Sequence, residues 1–113
     1  MANGLTFEID GKKFFVDPEE RLAAGQAPVL VVSGATTKVD KFLSTLPPQV
    51  VYKNGSVVPI RPIKVFSERA VKRAINTCRT ARSDGFMVVI GLDAASSELW
   101  DPFQRWALWS FGL

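Results

Sequence analysis

Apolar and polar positions alternate from Leu5: Leu5, Phe7 and Ile9 stand against Thr6 and Glu8. Period two predicts a strand with one buried face. Asp10-Gly11 then supplies a two-residue turn, whose central positions take positive φ, and a second strand returns through KKFFV. DPEERLAAG predicts a short helix. Asp17 would cap it, Pro18 suits its first turn, Glu20 completes a capping box and Gly25 provides the left-handed stop.

The pattern changes at VLVVS, 29–33, an unalternating β-branched run of the kind that forms a strand buried on both faces. TKVDKFLSTL follows, with Val39, Phe42, Leu43 and Leu46 at helical spacing and Pro47-Pro48 as the stop. QVVYKNGSVVPIR predicts a second hairpin turning at Asn54-Gly55, and Pro59 places its second strand at a sheet edge. The longest predicted helix runs over 68–83, capped by Ser67 and terminated by Gly85. FMVVIGL, 86–92, is a second strand without a polar face.

The segment LWDPFQRWALWSFGL, 99–113, repeats the cap-then-proline grammar of residues 17–20 and predicts a helix starting at Pro102. On a helical wheel Phe103, Trp106, Ala107, Trp109, Phe111 and Leu113 span about 200°, twice the arc that docking on one sheet face uses. Either the hairpins wrap the surplus, or another protein or another copy of the chain covers it. A membrane surface fits poorly, because Arg105 is the only cation on that helix.

These elements give the order β-β-α-β-α-β-β-α-β-α. They predict one α+β domain over residues 1–113, with α/β the alternative. A mixed sheet of five to six strands, two hairpins included, would be packed by three to four helices. Composition sharpens the chemistry. The 113 residues hold no histidine and one cysteine, Cys78. That removes imidazole-based nucleophilic systems, imidazole-ligated metal sites, intrachain disulfides and cysteine-rich zinc sites. No cofactor, metal or catalytic set is assigned, which argues against an enzyme. Cys78 falls among the small inward residues of helix 68–83, as a core side chain. No apolar run is long enough to span a bilayer. MANGLTFEID lacks the basic and apolar regions of a signal peptide, which predicts a cytoplasmic protein or one carried in a viral particle.

Charge is unevenly spread. Residues 53–82 carry eight Lys/Arg against Glu68 alone, so a chain of net charge +3 conceals a segment of +7. Arg61, Lys64, Arg69, Lys72, Arg73 and Arg79 are the residues expected to meet an anionic partner, nucleic acid or an acidic protein. No aromatic residue interleaves with them along the helix, so phosphate-backbone contact is the expected mode.

The leading functional expectation is a non-enzymatic interaction or assembly protein. Its aromatic carboxy-terminal helix, through Trp106, Trp109, Phe111 and Leu113, would bind a protein partner or a second copy. Subunits of larger assemblies, viral ones included, share this profile. The alternative is a small ligand-binding domain or enzyme. It would use loops 33–37 and 91–97, where Ser33, Thr36, Thr37 and Asp93 would meet if the two buried strands were parallel neighbours.

Overall fold

The computed structural model describes residues 5–9, 11–92 and 97–113. Strands β1 (Leu5–Ile9) and β2 (Lys12–Val16) form an antiparallel hairpin, Ile9 opposite Lys12. Of the expected Asp10-Gly11 turn, Gly11 takes a φ of +79° and Asp10 lies outside the described residues. Leu5, Phe7 and Ile9 are buried and Thr6 and Glu8 exposed, as the alternation requires. Helix α1 (Glu19–Ala23) starts one step later than expected. Asp17 Oδ1 accepts from the Glu19 N–H at 3.0 Å, and Pro18 occupies the cap position, so no capping box with Glu20 forms.

Strand β3 (Val29–Ser33) leads into helix α2 (Thr36–Thr45), which buries Val39 and Phe42. The second hairpin joins β4 (Gln49–Val51) to β5 (Val57–Val65), with Gly55 at φ +88° in the turn. Helix α3 (Glu68–Thr80) is capped by Ser67, whose Oγ accepts from the Ala70 N–H at 3.3 Å. It stops at extended Ala81, short of the expected end, and Gly85 is not its terminator. The reason is a bridge between Gln26 and Arg82, which draws the chain out of the helix. Strand β6 (Phe86–Gly91) is buried at every position.

The largest departure comes next. Helix α4 (Trp100–Trp106) is short, and residues expected to continue it form strand β7 (Trp109–Gly112), parallel to β3. Trp109, Phe111 and Leu113 alternate with exposed Ser110 and Gly112, so the stretch also satisfies period two. Tertiary demand decides between the two periods. Val29, Leu30, Val31 and Val32 have no exposed surface, and the outer backbone groups of β3 need a pairing strand. Residues 109–112 supply it, and Leu113 N–H donates to Ser33 O at 2.8 Å.

The main sheet has the order β4-β5-β6-β3-β7, parallel except for β4, while β1–β2 stands as a separate two-stranded sheet. Among the described residues, four helices and these seven strands make an α+β protein. Pro59 does not place β5 at an edge, because β5 lies between β4 and β6. Pairing to β4 covers Val57 to Pro59, and pairing to β6 begins at Ile60. Each of Pro59 and Pro62 therefore has one unpaired side, so a missing N–H is tolerated.

Both sheet faces are covered. The first hairpin and α2 pack with Leu30, Val32, Phe86, Val88 and Ile90, and Trp109 and Phe111 join this core. On the opposite face α3 and α4 pack with Val29, Val31, Met87 and Val89 around buried Trp100 and Phe103. The connection from β3 towards β5 uses the α2 face, and the two running the other way use the α3–α4 face. That is what a single crossover handedness demands. No helix among the described residues is long and apolar enough to cross a membrane.

Gly91 shows how tightly the second face closes. A Cβ there would lie 2.3 Å from Trp100 Cζ2, and the indole is only 1% exposed. Gly91→Ala should cost about 1–3 kcal/mol through overpacking. Gly112→Ala, with nothing within 4 Å of the added carbon, should stay within about 0.5 kcal/mol. Urea unfolding of the two variants measures the contrast.

Candidate anion-binding face and the aromatic edge

Helix α3 sorts its residues by face. Val71, Ala74 and Cys78 point into the core, while Arg69, Lys72, Arg73, Asn76, Thr77, Arg79 and Thr80 are exposed. The small inward side chains let the helix lie close on the sheet. The hydroxyls of this face are already spent: Thr77 Oγ1 donates to Arg73 O, and Thr80 Oγ1 to Asn76 O, both at 2.9 Å. What the face offers a partner is positive charge.

Little of that charge is neutralised. The salt bridges among the described residues are Lys53–Glu19 at 3.1 Å and Lys64–Asp40 at 3.3 Å. Lys64 therefore leaves the expected group. Its partner is on α2, across the sheet from α3. Arg61 stays with the group by strand alternation, since Ile63 and Val65 belong to the α3-side core. Its guanidinium stem lies across Gly85, where an added Cβ would be 2.8 Å from Arg61 Nε.

The structure brings in rings that one helix's sequence could not show. Trp106, at the end of α4, has the Arg21 guanidinium 3.9 Å and the Arg79 guanidinium 5.6 Å from its ring centroid. Both distances lie in the cation–π range. At the other end of α3, Phe66 is 63% exposed, immediately before the capping Ser67. Neither residue was assigned to the basic region from sequence. Trp106 joins it through α4 and α1, 27 or more residues away along the chain. Phe66 follows β5, whose last residue, Val65, is fully buried. Between the helices runs a groove of about 200 Å³, lined by Lys72, Ile75, Arg79, Leu99, Pro102 and Phe103.

Arg21 is the structural pivot of this region. It is only 8% exposed, and its Nη2 donates to the Trp106 carbonyl oxygen. Desolvation pulls its pKa below the ordinary arginine value, against an opposing pull from Glu20. Helix α1 is thereby clamped to the end of α4, at the point where the chain turns into β7.

The four aromatic-segment residues do not share one helical face. Trp106 packs towards α3, while Trp109, Phe111 and Leu113 belong to the opposite core. Trp109 stacks on Phe86 at 5.9 Å between ring centroids and 4° between planes. Phe111 meets Phe7 at 5.4 Å and Phe14 at 5.1 Å. The first hairpin thus covers much of the surplus, leaving all four residues partly exposed.

The alternative ligand site is only partly built. Buried strands β3 and β6 are parallel neighbours, with Ser33 paired to Gly91. Their following helices lie on opposite faces, the geometry of a topological switch point. Thr36 and Thr37 open α2 and are exposed. Ser33, however, spends its carbonyl on Leu113, and a Cβ on Gly34 would sit 2.8 Å from Leu113 Cβ, so Leu113 fills that end. Asp93 lies outside the described residues.

Two residues with reactive side chains are held in structural roles. Tyr52 Oη donates to Gly85 O at 3.2 Å, and burial, aided by Asp84, pushes its pKa up to about 12. Burial likewise pushes Cys78 up to about 12, against a lowering pull from Arg21. Comparison with protein-family models, curated proteins and solved structures found no match to this chain.

Two outcomes follow. Arg21→Ala should destabilise the fold by about 1.5–3 kcal/mol, the worth of a hydrogen bond to a charged group, as read by urea unfolding. The raised Cys78 pKa means the unfolded chain releases this proton first. Its stabilising contribution should be complete below about pH 9 and lost as pH rises towards 12. Stability against pH for the parent chain and Cys78→Ala should diverge in that window. Native Cys78 should resist Ellman's reagent and react once unfolded.

Proposed function

We propose that this protein is a non-catalytic interaction module that holds a polyanion, of the nucleic-acid phosphate-backbone class, on the exposed face of α3. One observation carries the reading: Arg69, Lys72, Arg73 and Arg79 share an exposed face and have no carboxylate partner among the described residues. Concentrating cations costs mutual repulsion, which an anionic partner relieves. Trp106 beside Arg79 and exposed Phe66 before Ser67 place aromatic rings at the two ends of the array. The exposed Phe66 ring adds surface on which an unpaired base can stack.

The carboxy-terminal segment serves the same interaction role as a protein contact. Trp109, Phe111 and Leu113 keep partial exposure along a sheet edge. A ligand-binding reading at the β3–β6 switch point is the second one, favoured by the parallel pairing of those strands.

Fluorescence anisotropy with labelled single- and double-stranded oligonucleotides tests the first reading. Four phosphate contacts give a slope of log affinity against log salt of about −2.8 on single strands and about −3.6 on duplex. Arg73→Ala should weaken binding to all sequences and reduce that slope by about one. Absence of binding at low salt, or binding without a salt slope, refutes the reading. Binding of polyglutamate alone transfers the face to an acidic protein.

A further inference from the structure

We infer that the outer edge of β7 pairs antiparallel with β7 of a second copy of this chain, about a two-fold axis passing by Phe111. The inference deepens the protein-contact part of the proposed function and is independent of what α3 binds.

The pairing geometry follows from register. Ser33 pairs with Gly112, and Leu113 N–H donates to Ser33 O. The backbone groups of Trp109, Phe111 and Leu113 therefore face β3, while those of Ser110 and Gly112 face outward. Strand β7 is the last in the sheet order, so these groups have no strand partner among the described residues.

A two-fold at Phe111 sets Ser110 opposite the second copy's Gly112, and the reverse. Each pair exchanges both N–H···O bonds, making four in all. The two Phe111 rings meet as a non-hydrogen-bonded cross-strand pair, the closer kind. Outward positions match each other with no residue left over, which is what an isologous contact needs.

Charge selects the same partner. Residues 106–113 contain no charged side chain in a chain of net charge +3, so two copies can meet here without like-charge conflict. The edge also lacks the usual guards, since WSFG holds no lysine, no proline and no inward charge. The other edge is guarded. Strand β4 has three residues, follows Pro47-Pro48 and is followed, after Tyr52, by Lys53.

An axis of this kind stands perpendicular to the sheet, so equivalent faces stay on the same side. The two sheets join into one of ten strands, and both α3 faces look the same way. A dimer then presents a doubled cationic surface to one long anion.

Sedimentation equilibrium of the intact chain over a micromolar to hundred-micromolar range tests the pairing. The expected result is a monomer–dimer equilibrium, and Ser110→Pro, which removes one outward N–H, should raise the dissociation constant at least tenfold. Hydrogen exchange on the unaltered chain is the second reading, independent of whether that variant folds. The Ser110 and Gly112 amides should gain protection with concentration. A monomer throughout, an open-ended series, or edge amides insensitive to concentration overturns the inference. So does a dimer unchanged in folded Ser110→Pro. Oligonucleotide binding measured in parallel separates this from failure of the α3 reading.

Discussion

Strands β3 and β6 have almost no water-facing side chains, and that burial governs much of the molecule. A strand enclosed on both faces can satisfy its backbone only through neighbours in the sheet plane. The need is met by β5 beside β6, β6 beside β3 and β7 beside β3. It explains why a segment with helical spacing ends as a strand. It also explains why helices occupy both faces, since Val29 and Val31 point one way and Leu30 and Val32 the other. Gly91 is part of the same constraint, because only a hydrogen at that position lets Trp100 lie against the sheet.

The second organising contact is between Arg21 and Trp106. It joins an element near the start of the chain to the junction between α4 and β7, through a hydrogen bond and a ring contact made by the same guanidinium. Arg79 approaches the same ring from α3. The cationic face and the aromatic edge are therefore mechanically continuous. Trp106 belongs to one and leads directly into the other. Buried Tyr52 plays a comparable role at the far side, tying the β4–β5 hairpin to the residue before β6.

Local grammar made most of the elements legible. The alternation at Leu5, Phe7 and Ile9, the unbroken runs at 29–33 and 86–91, and the cap at Ser67 each name a structure through one short-range rule. The cationic face of α3 was legible for the same reason, since one helix carries it. The failures arose where two rules competed or where partners came from distant segments. WSFGL satisfies both periods, and only the open edge of β3 chooses between them. Pro59 correctly marks an unpaired side, but a strand that changes partners midway has such a side without lying at an edge. Lys64 looked like its neighbours until strand alternation sent it to Asp40 across the sheet. Arg21 gave no local sign that it would be buried, because its reason for burial is an indole 85 residues away.

The pairing of β3 with β7 has a consequence for how the chain acquires its structure. Leu30 finds its partner in Trp109, so β3 waits about eighty residues for its second neighbour. During synthesis the amino-terminal hairpin, α2 and the β4–β5 hairpin emerge with local contacts to make. The apolar edge of β3 stays open throughout. Long-range pairing of this kind is slow and leaves aggregation-prone strand edges exposed in the interim. A chain built this way is most vulnerable to unwanted association before its own closing strand has been made.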